Sequence, residues 1–319
     1  MWTNRLTAEQ ADLVRSLAAR AAASDGLEPL NEEALFALSN DTAEHRLAPL
    51  APLAPLAPLG DLSDTGRAIA LPETDKSGSV AGTGSVAGYL QWQPAYGTAQ
   101  LVVDPEWRRK GIGTALLAAL GDRPVHGTWA FGDLPAAVSF ANAHHLTPSR
   151  SLLIMGRSLA GTTEPEVPTG LTLRGYTEAD AGDLLAVNAA AFAHHPEQGS
   201  LDATGLAARM AEPWFDPAGL ILAFDTDGLA GFHWTKRADP GTGEVYVMAV
   251  APRAQGKGYG RVLLQAGLAH LRETAAHRVV LYVDSAEEVA VRMYDSAGFT
   301  LTRRDVLYAP EIRSSHDLG

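Results

Sequence analysis

The chain has no cysteine in its 319 residues. Disulfides, thiolate metal ligands and a cysteine nucleophile are excluded, and nothing follows about redox compartment. Long apolar runs are absent too. No window reaches 18 apolar residues without a charge, so no membrane span is expected. The opening MWTNRLTAEQADLVRSLAAR lacks an apolar core followed by a cleavage site, so no secretory leader is expected and the cytoplasm is the default location. Positive charge is in deficit, with 25 Lys and Arg against 37 Asp and Glu, a formal net charge of −12 and a pI near 5.2. That balance repels phosphate backbones and anionic lipid, so no nucleic-acid or membrane partner is expected. It leaves room for a small basic patch serving one phosphorylated ligand.

What is present is globular composition, 46% hydrophobic and 19% charged, in a chain long enough for two domains. The expected division is an N-terminal domain over residues 1–159, a linker over 160–169 and a C-terminal domain over 170–319. Leu6, Leu13, Val14 and Leu17 share one face of a predicted helix over 7–23. The run APLAPLAPLAPL over 48–59 cannot enter a central strand or helix and reads as a solvent-facing connection. Residues 73–88, rich in Gly and Ser, read as a long hairpin turn. In the second half, apolar runs flanking Asp227-Gly228 predict a β-hairpin. Hairpins followed by alternating helices and strands predict an α/β fold with a mixed sheet.

One pattern occurs twice, as VVDPEWRRKGIGTALLAAL over 102–120 and VAPRAQGKGYGRVLLQAGL over 250–268. Each has a β-branched strand end, a Pro, a basic or amide stretch, then Gly-x-Gly opening an apolar helix. Glycine lets the backbone close tightly around an anion. A helix start offers unpaired N–H groups and the positive end of the dipole. Arg109, Lys110 and Lys257 add local positive charge. Neither copy is a mononucleotide loop or a three-glycine dinucleotide fingerprint. A single Gly-x-Gly would mean no more than a turn; its recurrence in the other half implies two homologous domains, each built on an anion loop.

These loops resemble the GNAT acetyltransferase superfamily, whose motif Gln/Arg-x-x-Gly-x-Gly/Ala opens a helix. The resemblance implies two tandem GNAT domains with acetyl-CoA as cosubstrate and no metal. In the first copy it implies cofactor contacts from Leu101, Val102, Val103, Arg109, Lys110, Gly111, Ile112, Gly113 and Thr114. In the second it implies Met248, Ala249, Val250, Gln255, Gly256, Lys257, Gly258, Tyr259, Gly260 and Arg261. The segment LYVDSAEEVAVRMYDSAGF over 281–299 resembles the family's closing strand and helix, ending Tyr-x-x-x-Gly-Phe. Glu287 stands where the family often has Asn, and Arg292 is placed to serve cofactor phosphates. In the first copy, Phe140 stands about where a tyrosine is expected and His145-Leu146 replaces Gly-Phe. The first domain is therefore read as noncatalytic.

Acetylation of an amine needs a neutral nitrogen, and a nearby carboxylate can take the proton. Glu244 begins the strand that ends in the cofactor segment, roughly 13 Å before Met248 by strand rise. Alone it reads as a solvated charge; the resemblance makes it the general base. Tyr294 alone reads as a core aromatic; the resemblance makes it the general acid for the departing sulfur. Acceptor contacts are implied for Glu32, Glu197, Lys236, Glu244 and Tyr282. His194 and His195, adjacent and without an acidic ligand set, are not read as a metal site. The segments AFAHHPEQG, WFDPAGLILAF, GFHWTK and GEVYVMAV resemble a tandem-domain member whose acceptor is a small-molecule amine, cysteinyl-glucosaminyl-inositol, acylated on its cysteinyl nitrogen. A monomer is expected, since two domains can form a complete cleft alone. A protein or peptide N-acetyltransferase and a noncatalytic acyl-CoA-binding protein remain open alternatives.

Overall fold

The computed structural model describes residues 1–49, 85–193, 199 and 201–310. The Ala-Pro-Leu run beyond Pro49, most of the Gly/Ser-rich turn, His194, His195 and Glu197 lie outside these residues. By internal contact the chain forms two compact units, Met1–Ser151 with the residues from Asp305, and Leu152–Arg304.

The first unit opens with α1 (Ala8–Asp25), where Thr7 and Gln10 form a capping box and Gly26 ends the helix in the left-handed region. Then come α2 (Glu32–Ala37), β1 (Glu44–Pro49), β2 (Val86–Gln93), β3 (Thr98–Val103), α3 (Ile112–Ala118), β4 (Gly127–Ala130) and α4 (Pro135–Ala143). β1, β2 and β3 pair antiparallel in sequence; β3 and β4 pair parallel. Val14, Leu17 and Ala21 of α1 bury against Leu47, Tyr89 and Val102, whereas Leu116 of α3 packs with Leu90, Trp92 and Ala99. Neighbouring strand residues point to opposite faces, so helices cover both and every residue of β2 is buried.

The second unit takes its first strand from β5 (Leu146–Ser158), from Leu152 onward. It continues through β6 (Thr172–Gly175), α5 (Ala181–Ala191), α6 (Ala203–Met210), β7 (Leu220–Asp225), β8 (Gly228–Asp239), β9 (Thr242–Val250), α7 (Tyr259–Glu273), β10 (Arg278–Asp284), α8 (Glu288–Ser296) and β11 (Thr300–Pro310). The strand order is β5-β10-β9-β8-β7-β6, and only β9 and β10 are parallel. Leu184, Val187 and Leu206 of α5 and α6 pack with Leu222, Phe232 and Trp234. α7 and α8 bury Leu264, Leu268, Leu271 and Tyr294 with Val245, Val279 and Leu281. The hairpin turn falls at Thr226-Asp227, between the paired Asp225 and Gly228, one residue earlier than the Asp-Gly dipeptide suggests.

The contact boundaries fall inside β5 and β11, and not at 159 and 170. Val306, Leu307 and Tyr308 of β11 pair with Ala130, Trp129 and Thr128 to complete the first unit's sheet. Meanwhile 152–158 of β5 pair with β10 in the second unit. The segment read as a linker belongs to the second unit. Leu159 and Thr162 are buried, Gln265 of α7 donates to the Thr163 carbonyl, and Arg272 donates to that of Thr162. No helix among the described residues is long and apolar enough to cross a membrane.

His233 shows how tightly the second sheet meets α7. Its ring occupies a notch at Gly267, where a Cβ would overlap it. Nδ1–H donates to the Leu263 carbonyl at 2.8 Å, which fixes the neutral tautomer. Burial pushes its pKa down to about 4, partly opposed by that hydrogen bond. The unfolded imidazole takes a proton near pH 6.5 that the folded one refuses. The stability this gives is complete above pH 6.5 and is lost as pH falls toward 4. The loss is on the order of 2–3 kcal/mol. In urea unfolding at pH 7 and pH 4.5, His233→Asn should show a smaller drop than the parent, the remainder including His45, whose pKa burial also lowers to about 4. An equal drop in both proteins rejects this account.

Candidate active site

The repeated loops adopt the same path in both units. After β9 comes a 3₁₀ turn at Pro252–Ala254, then Gly256 at φ 78° and Gly258 at φ 83°, then α7. After β3 comes a 3₁₀ turn at Pro105–Trp107, then Arg109 at φ 61° and Gly111 at φ 79°, then α3. Neither helix start has a side-chain cap, so the first N–H groups are left for a ligand or water. A Cβ at Gly256 or Gly258 would meet nothing within 4 Å, so the backbone there is open to close approach. Gln255, Gly256, Lys257, Gly258 and Arg261 are exposed, with Tyr259 and Gly260 half-buried at the helix start. This arrangement can receive an anion such as a pyrophosphate.

The basic side chains beside the loops are largely committed. Asp225, its side chain only 4% exposed, binds Arg253 at 2.9 Å and Lys257 at 3.4 Å. Desolvation pushes the Asp225 carboxyl up, but hydrogen bonds from Arg253, the Asp227 N–H and Lys257 outweigh it, and the net shift is downward. In the first unit Lys110 Nζ sits 4.2 Å from the Trp107 ring centroid, and Arg108 grips Asp25 through two 2.7 Å bonds. Ile112 and Gly113 are half-buried, Thr114 bonds His144 at 3.0 Å, and Arg109 and Gly111 are exposed. The anion site is thus mainly backbone and dipole.

The parallel pairing of β9 and β10 stops early. Its last pair is Val245 with Leu281, although β9 runs on to Val250 and β10 to Asp284. Tyr246 to Val250, including Met248 and Ala249, therefore presents an edge on that side unpaired by β10. The first unit repeats this: β3 and β4 pair only through Gln100 and Trp129, leaving Leu101, Val102 and Val103 beyond the split. Such an edge can pair with the amides of an extended ligand arm.

Glu244 lies one residue before the split and is half-buried. Lys236 is its direct partner on β8. A bulge helps to bring these two together. Trp234 pairs with Val247 and Thr235 with Val245, so Tyr246 is the extra residue. Tyr246 and Val247 both join the α5 cluster, whereas Val245 joins the α7 cluster. Strict alternation would put Glu244, Tyr246 and Met248 on one face; Met248 instead packs with α7 and α8 residues.

Tyr294 lies in the same buried cluster as Val245 and Leu281, the last pair before the split. It is 7% exposed, and burial pushes its pKa up to about 12. Tyr282 is exposed on β10, on the alternate side from Leu281 and Val283. Glu287 is the exposed N-cap residue of α8, without a side-chain cap bond, and Arg292 is held by Glu288 at 2.9 Å on an exposed face. Glu32 begins α2 in the first unit and is exposed.

The correspondence of the two closing helices needs a correction. Phe140 does not stand in the place of Tyr294. Gly113 faces Phe140 as Gly260 faces Met293, and His145 at φ 54° takes the turn of Gly298 at φ 82°. Counting by these contacts, Ala141 is the counterpart of Tyr294. Aligning the paired Gly88 and Val103 with Gly231 and Val250, and allowing for the extra residue Tyr246, puts Thr98 opposite Glu244. The first unit has no carboxylate at the first place and no hydroxyl at the second. Sequence reading also missed Trp214 and Tyr246, whose rings lie beneath the Lys236 ammonium, and Arg209, which donates to the Tyr246 hydroxyl; the aromatic content of WFDPAGL and GEVYV was the available signal. Among the described residues no group of three or more His, Asp or Glu side chains could hold a metal.

A family model described as "Acetyltransferase (GNAT) family" matches residues 190–299, and another described as "Acetyltransferase (GNAT) domain" matches 73–143. The mycothiol acetyltransferase of Nocardia farcinica is 44% identical over 97% of this chain and 96% of its own. That of Mycobacterium marinum is 41% identical over 97% and 96%. Among solved structures, a GCN5-related N-acetyltransferase from Sphaerobacter thermophilus shares the fold, with TM-score 0.64, 21% identity, and coverage of 98% of this chain and 96% of that one. A tandem GNAT protein from the clavulanic acid biosynthesis pathway does so with TM-score 0.55, 20% identity, and coverage of 73% and 82%.

The loop conformation predicts a contrast between the units. Gly258→Ala meets no atom, yet should cost about 1–2 kcal/mol because an L-residue is held in the left-handed region. Arg109→Gly relieves the same strain, offset by added freedom in the unfolded chain, and should gain about 1 kcal/mol or less. Urea midpoints of the two variants against the parent check this; a neutral Gly258→Ala would contradict it.

Proposed function

Because the chain belongs to the mycothiol acetyltransferase family, and so is an acetyl-CoA-dependent acetyltransferase of mycothiol biosynthesis, we propose that its second unit carries the reaction. The acetyl group moves from acetyl-CoA to the cysteinyl amine of cysteinyl-glucosaminyl-inositol, in the cytoplasm, where acetyl-CoA is drawn from the cell's own pool. One observation carries this reading: β9 and β10 part just after Glu244, on the strand that leads into the Gly256–Gly258 loop.

Acetyl-CoA supplies an acyl carbon already activated as a thioester. The backbone of residues 255–261 receives its pyrophosphate, and the freed edge at Met248, Ala249 and Val250 pairs with the pantetheine arm. Glu244 takes a proton from the acceptor ammonium, leaving a nitrogen lone pair able to attack. Tyr294, held protonated by its raised pKa of about 12, can give a proton to the sulfur as the C–S bond breaks, and regains one from the proton the nitrogen sheds in becoming an amide. Lys236 and Tyr282 share the acceptor side with Glu244, and Glu197 is a further acceptor contact. The first unit keeps the loop and the split but has Thr98 and Ala141 in place of base and acid, which supports a noncatalytic role there.

Acetyl transfer followed by mass spectrometry, with the cysteinyl glycoside beside a panel of free-amine peptides, tests the acceptor. Preference for peptides would sink it. Glu244→Gln should lower turnover about 10²–10⁴-fold, most at low pH where the amine is protonated. Tyr294→Phe should lose less, since a thiolate leaves readily. CoA affinity, supplied by loop and strand backbone, should barely change in either. Gly258→Asp should abolish turnover with the first loop intact, as its carboxylate opposes pyrophosphate. Near-parental rates for Glu244→Gln reject it as base, and turnover surviving Gly258→Asp moves catalysis to the first unit.

A further inference from the structure

Lys236 is unusual among the chain's four lysines. It is only 8% exposed, in mid-strand, and its ammonium lies over two aromatic rings. Nζ is 5.0 Å from the Trp214 centroid and 5.1 Å from that of Tyr246. The rings meet edge to face at 5.0 Å, and Trp234 braces both at 6.0 and 5.6 Å. Arg209 of α6 donates to the Tyr246 hydroxyl at 3.1 Å, holding that ring by its hydroxyl end. The buried Nε1–H of Trp214 has no acceptor among the described residues. A buried donor left unpaired is a cost that Phe or Leu would avoid. An indole there makes sense for its face, which attracts a cation more strongly than other rings. The bulge at Tyr246 is what tips this ring onto the same face as Val247, toward Trp214.

A free lysine side chain explores many rotamers, and a donor that must be ordered on binding discriminates poorly. We propose that Trp214 and Tyr246, with Arg209 on the Tyr246 hydroxyl, are positioning residues: they form an aromatic cage that presets the Lys236 ammonium beside Glu244 as a fixed donor to a hydroxyl of the polyol acceptor. The cage then governs selection of the amine substrate, and has no part in acetyl-CoA binding or proton transfer. This rests on the acetyl-transfer reading for its kinetic consequence, though not for the cage itself.

Fluorinated tryptophans placed at 214 weaken the ring's attraction for cations while nearly keeping its shape. With each added fluorine the KM for the amine should climb, about 3- to 10-fold across the series, while kcat, the KM for acetyl-CoA and Tm stay level. In a Lys236→Met background the same series should be flat. A flat series in the parent overturns the proposal. An equal slope in Lys236→Met overturns it too, by assigning the ring to direct contact with the acceptor's own ammonium. A fall in kcat without change in KM overturns it in favour of a role in the chemistry. The second readout needs no acceptor. In protein labelled with ¹³C-lysine, the Lys236 ε-methylene signal, identified by its loss in Lys236→Met, should be shifted upfield by the rings and return toward the free value in Trp214→Leu. A signal already at the free value in the parent rejects the cage, whereas a shifted signal in a protein that acetylates no cysteinyl glycoside rejects only the functional reading.

Discussion

The parting of two parallel strands organises the second unit. β9 and β10 hold together through Val245 and Leu281 and then diverge, while β10 stays paired with β5 and β9 with β8. A sheet cannot normally leave strand edges unpaired in its middle, because buried N–H and C=O groups are costly without partners. Here the cost is tolerable because the split can be filled by a ligand that is itself strand-like. The proposed base, acid and anion loop are all placed relative to it: Glu244 before it on one strand, Tyr294 in the cluster of its last pair, and the glycine loop at the end of β9.

The bulge at Tyr246 acts on the same segment. One extra residue reverses the facing of Val245 relative to Val247, so β9 contributes to both helical layers within a few residues. The carboxylate and its opposite lysine end up beside an aromatic cluster and not beneath α7. A one-residue change in β8 or β9 would undo this, because strand faces alternate with period two.

The two units show which parts of the plan are structural and which are chemical. Both keep the split, the 3₁₀ turn after the strand and the left-handed residues before the helix. They differ in bracing: the first loop is tied by Arg108 to Asp25 at the end of α1, the second by Arg253 and Lys257 to Asp225 in the β7–β8 hairpin. They differ also in the helix that follows, short Ile112–Ala118 against long Tyr259–Glu273. The first unit tolerates Arg109 where the second has Gly256, and the residues at the positions of Glu244 and Tyr294 are Thr98 and Ala141.

By itself the sequence determined the mixed α/β class, the two anion loops and the order of most helices and strands. Each of these depends on local signals: periodicity, turn residues, and Gly-x-Gly after a β-branched run. It also singled out Glu244 and Tyr294, through a resemblance and not through their local surroundings. Tertiary structure decided the rest. The limits of the units were hidden because β5 and β11 are each continuous strands by local pattern, and only long-range pairing divides them at Ser151 and Arg304. The alignment of Ala141 with Tyr294 was already in the spacing, four residues before His145 and Gly298, and the packing of Phe140 and Met293 at Gly113 and Gly260 agrees with it. The facing of Glu244 was hidden because a bulge leaves no mark in the alternation of EVYVMAV. The cage around Lys236 draws on α6, the segment after it, β8 and β9, elements that are separated in sequence and meet only when the sheet forms.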